Sequence, residues 1–212
     1  MMYLSNELWF PEVDTAGQDG LLAVGGDLSP DRLLLAYQSG IFPWFSDGDP
    51  ILWWSPDPRM VLFPDKLKVS KNLHRLIKQQ KFTITENQAF LEVIKNCAQI
   101  ERPDQLGTWI TDEMLEAYQK LHQLGHVQSV EVWLGEELVG GLYGIDLSEK
   151  RIFCGESMFS KVSNASKIAL HYWVEMLKGK GYHLIDCQVY NPHLESLGAE
   201  EISRESFLTF LD

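Results

Sequence analysis

Three apolar runs rich in β-branched residues, Val127–Leu134, Glu137–Ile145 and Arg151–Glu156, follow one another with only Gly135 and Asp146–Lys150 to turn the chain. A parallel crossover needs a dozen or more residues, so connections this short predict an antiparallel meander. A turn at Ser157–Ser163 follows. Then comes a helix, capped by Ser163 or Asn164, that carries Ile168, Leu170, Trp173, Met176 and Leu177 and is ended by Gly179 and Gly181. A strand at Tyr182–Tyr190 completes a crossover that returns the chain to the sheet beside the meander. The fold class is therefore α+β around one mixed central sheet.

The 212 residues suit one large domain, or one domain with a small appended lobe. Up to about residue 60 the chain is rich in turns and aromatics, and the prolines of Ile41–Phe45 and Ile51–Arg59 forbid a long helix and fit a small irregular lobe. One helix is marked there: Ser29 caps it, Pro30 suits its first position, and Gly40 closes it. We place a boundary near residue 62, giving a small N-terminal domain, 1–62, and a larger one, 63–212. Beyond the boundary, Ser70–Gln80 reads as a helix with Leu73, Leu76 and Ile77 on one face. Thr85 with Gln88 reads as a capping box for a helix through about Cys97. A further helix starts at Thr111, with Met114, Tyr118 and Leu121 buried and Gly125 at its end.

Hydrophobic residues make up 45% of the chain, enough for a sizeable core. No apolar run approaches the 18 or so residues needed to cross a bilayer, and Glu7 and Glu12 occupy the place of a signal peptide's apolar segment, so the expected location is the cytoplasm. Cys97, Cys154 and Cys187 are an odd number without a CxxC pair, which excludes a disulfide framework and a cysteine-rich zinc site. A net charge of -12 argues against a protein that binds nucleic acid over its whole surface. The average conceals a cluster, however: six basic residues and a single acid lie between Asp65 and Lys81. Lys71, Arg75 and Lys78 fall at i, i+4 and i+7, one continuous stripe on the helix face opposite its leucines. A stripe of this kind fits a local polyanion contact, and it fits an ordinary solvated face equally well.

Strand alternation puts Asp186 and Gln188 on one side and Cys187 on the other. An acid and an amide so placed can bond each other, share a ligand, or be satisfied by loop backbone. Glu156 ends the third strand of the meander, a position where strand gives way to loop. A cysteine hydrolase fits poorly, because His183 lies about 13 Å from Cys187 at roughly 3.3 Å per residue. His171, His183 and His193 lack HxH or HExxH spacing, so no metal is expected. With no GxxxxGK[ST] or GxGxxG loop, nucleotide-triphosphate and dinucleotide chemistry are not expected either.

Nine stretches, in order, carry a family likeness: GLLAVGGDLSP from Gly20, GIFPWF from Gly40, WWSPDPR from Trp53, TWI from Thr108, SVEVW from Ser129, GESMF from Gly155, NASK from Asn164, DCQ from Asp186 and SLGA from Ser196. Together the chain resembles the leucyl/phenylalanyl-tRNA-protein transferases of bacteria, over about residues 9 to 210. The resemblance implies a GNAT-like C-terminal domain preceded by a small N-terminal domain. It implies transfer of Leu or Phe from aminoacyl-tRNA to the α-amine of proteins beginning with Lys or Arg, which marks them for degradation, without a cofactor. Asp186 and Gln188 match the family's catalytic pair, and Glu156 its substrate-contacting acid. Trp44, Trp109 and Tyr118 match aromatic positions of the site. Phe153, Met158 and Leu170 match the pocket for the transferred side chain, and the basic stripe becomes a candidate tRNA contact. On this reading Asp186 holds the NH2 group of Gln188, and Glu195, Glu200, Glu201 and Glu205 supply a field for the acceptor's cation. A CoA-dependent N-acyltransferase of the same fold is the alternative, but the turn Ser160–Lys167 has no glycine for a pyrophosphate loop.

Overall fold

Ser29, Ser70 and Thr111 start helices as their sequence context requires: the side-chain oxygen of each accepts the backbone N–H three residues on, from Arg32, Leu73 and Met114. The computed structural model describes residues 2–100 and 108–212. Strands β1 (Met2–Leu4), β2 (Leu21–Gly25), β3 (Phe42–Pro43) and β4 (Leu52–Trp54) form a small sheet of order β1–β2–β4–β3, with α1 (Pro30–Gln38) between β2 and β3. The expected irregular lobe thus has a sheet of its own. Its register is helped by Trp53, which is fully buried and donates from Nε1 to the Gly25 carbonyl at 2.8 Å.

Seven strands make the main sheet: β5 (Arg59–Leu62), β6 (Thr83–Glu86), β7 (Val127–Leu134), β8 (Glu137–Leu147), β9 (Ile152–Ser160), β10 (Leu184–Gln188) and β11 (Glu200–Ile202), in the order β11–β5–β10–β9–β8–β7–β6. The meander β7–β8–β9 is antiparallel, and β10 returns parallel to β9, as the connection lengths require. The helices are α2 (Lys71–Lys78), α3 (Phe90–Gln99), α4 (Asp112–Gln123), α5 (Ala165–Gly179), α6 (Pro192–Ser196) and α7 (Arg204–Leu208). Apolar residues of α1, α3, α4 and α7 share one core cluster; those of α2 and α5 pack in a second, with alternate residues of the main strands divided between the two. No helix among the described residues is long and apolar enough to cross a membrane.

Three local expectations are corrected. Thr85 caps nothing: it lies in β6, where its hydroxyl donates to Glu131 on β7 at 2.6 Å and accepts from Trp133 Nε1 at 2.9 Å, and α3 begins only at Phe90. Cross-strand partners outbid the local cap. The Asn164 side chain does not cap α5, because the residue is left-handed (φ 69°); Ser160 Oγ instead accepts from the Ser166 amide at 3.2 Å. Strand β9 runs on through Ser160 instead of breaking at Glu156, because its pairing with β8 resumes after one skipped residue.

That skip depends on a glycine. Gly144 pairs with Gly155, the next pair is Tyr143 with Ser157, and Glu156 is left over as a β-bulge. A Cβ at Gly144 would stand 2.2 Å from the Cys154 carbonyl oxygen and 2.6 Å from the Phe153 ring. Both neighbours are held in the sheet, so Gly144→Ala is expected to destabilise by about 3 kcal/mol as an overpacked core does. For a chain of this size that is a fall in Tm of roughly 6 to 12 °C. Thermal unfolding followed by circular dichroism checks this, with Gly179→Ala as the control, since nothing lies within 4 Å of its added Cβ.

Candidate active site

The parallel ladder between β9 and β10 ends at Asp186 opposite Cys154, although β9 continues to Ser160. Past that pair the strands part, with Glu156 on one side and Gln188 on the other. Both residues sit at irregularities. Glu156 is the bulged residue of β9. On β10 the register against β5 slips, so that Asp186 pairs with Val61 but Gln188 with Met60, and Gln188 takes up a left-handed φ of 60°. The bulge on β9 also re-phases its side chains. Phe153 and Met158, five apart, would face opposite ways in a regular strand, yet both pack with the α5 cluster, while Cys154 and Phe159 belong to the other.

Glu156 is the hub. Its Oε2 accepts from Tyr118 Oη at 2.9 Å and its Oε1 from Gln188 Nε2 at 3.2 Å. Tyr118 has spent its only proton on Glu156, so the hydroxyl of Tyr37, which bonds it closely, is the donor between the two tyrosines. Burial pushes the Glu156 carboxyl up to about 7 and the charge of Asp186 adds to this, against the hydrogen bonds of Tyr37 and Tyr118 and the charge of Arg59. Burial and the Glu156 charge hold both tyrosine hydroxyls well above the ordinary phenol range, so they remain donors.

Asp186 is 1% exposed and does not hold the Gln188 amide group, which corrects the expectation. Its Oδ1 accepts from Arg59 Nε at 2.8 Å and its Oδ2 from Arg59 Nη2 at 2.7 Å, a bidentate pair, and Oδ1 also accepts the backbone N–H of Gln188 at 3.0 Å. Burial alone would lower the Arg59 pKa, but Asp186 more than offsets it and the net shift is upward. Arg59 and Tyr37 are the two residues that sequence reasoning missed. The apolar run Met60-Val61-Leu62 after Arg59 was the available sign that it would be carried into the core.

The other expected site residues divide. Tyr118 is at the hub, and Trp109 packs in the same core cluster. Trp44 is 39% exposed and lies against Trp54, whose Nε1 donates to the Trp44 carbonyl at 2.7 Å. Phe153, Met158 and Leu170 sit across the sheet in the α5 cluster, where Trp173 meets Phe153 edge-on at 5.2 Å. Lys71, Arg75 and Lys78 are all exposed on α2. Of the four acids read as a field, Glu200 is paired with Lys66, and Glu195 accepts from Tyr190 Oη at 2.8 Å. All three cysteines are buried, and burial raises the thiols of Cys154 and Cys187, the reverse of what a nucleophile needs. Among the described residues no group of three or more His, Cys, Asp or Glu is placed to hold a metal ion.

Comparison with known families now bears on this centre. Residues 61–212 match the model of the leucyl/phenylalanyl-tRNA protein transferase family, and residues 26–57 match that family's N-terminal domain. The chain belongs to this family. It is 59% identical over 211 residues to the leucyl/phenylalanyl-tRNA–protein transferase of Flavobacterium johnsoniae, covering 100% of this chain and 99% of that one. It is 55% identical over 202 residues to the protein of the same name from Escherichia coli O157:H7, covering 95% and 84%. Among solved structures it is similar to L-PGS from Bacillus licheniformis, with a TM-score of 0.44 and 13% identity over 80% of this chain and 54% of that one. As a member of the leucyl/phenylalanyl-tRNA protein transferase family, the protein is an aminoacyltransferase.

Proposed function

We propose that the enzyme moves Leu or Phe from aminoacyl-tRNA to the N-terminal α-amine of proteins beginning with Lys or Arg, in the cytoplasm, and that the product is a degradation signal. The observation that carries this reading is the pairing of Glu156 with Gln188 across the parting of β9 and β10. There an acid that titrates about 7 faces a carboxamide held in a fixed direction. Residues 1–62 act as a small N-terminal domain to a transfer domain of 63–212, into whose sheet their last strand, β5, is built. Phe153, Met158 and Leu170 receive the transferred side chain, Trp44 and Trp109 flank the substrates, and Lys71, Arg75 and Lys78 contact the RNA.

The donor ester is already activated, so alignment and a modest base are sufficient. Because Gln188 Nε2 is committed to Glu156, its Oε1 is left to accept an N–H of the incoming amine beside that acid. As the amine attacks, a C–N bond forms and the C–O bond to the ribose breaks. One proton leaves nitrogen for Glu156 and is handed on to the departing ribose oxygen. A carboxylate titrating near 7 matches an α-amine of pKa roughly 7.7 to 8.0, so the transfer is close to balanced in both directions.

The reading is tested by offering radiolabelled Leu on charged tRNA to two peptides, one starting with Arg and one with Ala. Label should enter the Arg peptide at least tenfold faster. Equal rates would remove the acceptor rule, and no label in either would remove the activity.

A further inference from the structure

We infer that Arg59 is a positioning residue for the transfer reaction, acting through Asp186 to aim the carboxamide of Gln188. The inference rests on the reading of Gln188 just given.

Every oxygen of Asp186 is accounted for inside the protein. Oδ2 is taken by Arg59 Nη2, and Oδ1 by Arg59 Nε and the Gln188 amide together. With 1% of its surface exposed, the carboxylate has no face left for substrate. Its leverage is on the backbone of Gln188, a non-glycine residue in the left-handed region, a conformation that persists only where its surroundings impose it. The hydrogen bond from Gln188 N to Asp186 Oδ1 is such an imposition, and it is only as fixed as Asp186 itself.

Arg59 supplies the fixity. Its third nitrogen, Nη1, donates to the Gly40 carbonyl at 3.0 Å. Its guanidinium lies over two rings, Phe42 at 4.8 Å and Phe207 at 4.7 Å. Three segments far apart in sequence therefore locate one planar group: the turn after α1, the start of β5, and α7. A planar fork matches both carboxylate oxygens at once, which an ammonium cannot do, so the geometry demands arginine and not merely a positive charge.

The test compares wild type with Arg59→Lys, with Phe207→Leu, and with the apolar double variant Arg59→Met/Asp186→Leu. The double variant removes both charges together, because removal of one alone leaves the other buried and unpaired. Two readouts are taken beside the melting temperature: kcat and KM for transfer, and hydrogen exchange at the Gln188 amide. Arg59→Lys and the double variant should lower kcat by roughly 10- to 100-fold with both KM values within about twofold, the scale of a reacting group misplaced by about 1 Å. The Gln188 amide should exchange at least tenfold faster, even in variants that melt like wild type. Phe207→Leu keeps the ion pair and loosens one side of its cage, so it should fold and show both effects at about threefold. Wild-type kcat and unchanged Gln188 exchange in Arg59→Lys, in the folded double variant, or in Phe207→Leu if that alone folds, would overturn the inference. Failure of the wild-type enzyme to transfer would strike the functional reading instead.

Discussion

Replacing Glu156 by Gln lowers kcat for transfer by at least 100-fold, a loss typical for a positioned proton acceptor. It also changes the pH profile. In the native enzyme the rate climbs as Glu156 ionises about pH 7 and again as the acceptor amine loses its proton, because base and nucleophile must both be unprotonated to act. In the variant only the acceptor's own α-amine titrates, so the remaining rate rises only near 7.7 to 8.0. The same substitution has an effect of opposite sign on stability. Folding raises the carboxyl from 4.5 to about 7, so the stabilisation is complete below pH 4.5 and is lost as the pH climbs through 7. Above that, the native fold carries a buried anion that Gln lacks, so between pH 4.5 and 8.5 the variant should gain roughly 3 kcal/mol relative to wild type. Thermal scans at pH 4.5 and 8.5 read this directly. A variant that keeps its rate, or whose melting temperature tracks wild type at both pH values, would assign the proton to another group.

The second large effect is on RNA. Among the described residues Lys71, Arg75 and Lys78 form no ion pair; Arg75 donates only to the neutral side chain of Asn72, at 3.0 Å, while Lys66 and Lys178 nearby are paired with acids. The stripe is uncompensated charge on an otherwise acidic protein. If each residue displaces about one counterion, substituting all three with Ala flattens the slope of log affinity against log salt by roughly two to three units. Phosphate contacts are blind to the amino acid carried, so binding of Leu-tRNA, Phe-tRNA and uncharged tRNA should fall alike. Activity on a small aminoacyl-adenosine donor should persist. An unchanged salt slope would make the stripe a solvated face and move the RNA contact elsewhere.

What the sequence revealed of this centre follows from the range of each interaction. The meander and the crossover were legible because hydrophobic period and connection length are local, and the caps at Ser29, Ser70 and Thr111 because their partners lie three residues away. Thr85 had the same local signature, and the neighbouring strand β7 claimed it. The facing of Asp186 and Gln188 was legible from alternation, but Asp186's partner was not, since Arg59 is 127 residues distant. Nor was the bulge at Glu156, which is a property of two strands in register and rests on Gly144 in the neighbour, not on the strand that bulges.

The place of β5 in the sheet has a consequence for biosynthesis. It is the earliest strand of the main sheet to leave the ribosome, yet both its partners, β10 and β11, are among the last, over 120 residues later. Until they emerge, Met60, Val61 and Leu62 have backbone edges with nothing to pair and apolar side chains with little to cover them, a nascent segment that invites chaperones. The guanidinium of Arg59 waits through the same interval for its carboxylate. On the proposed reading, transferase activity does not accrue gradually as the polypeptide lengthens: Asp186 and Gln188 arrive only with β10, so a message truncated before it should yield an inert chain instead of a weak enzyme.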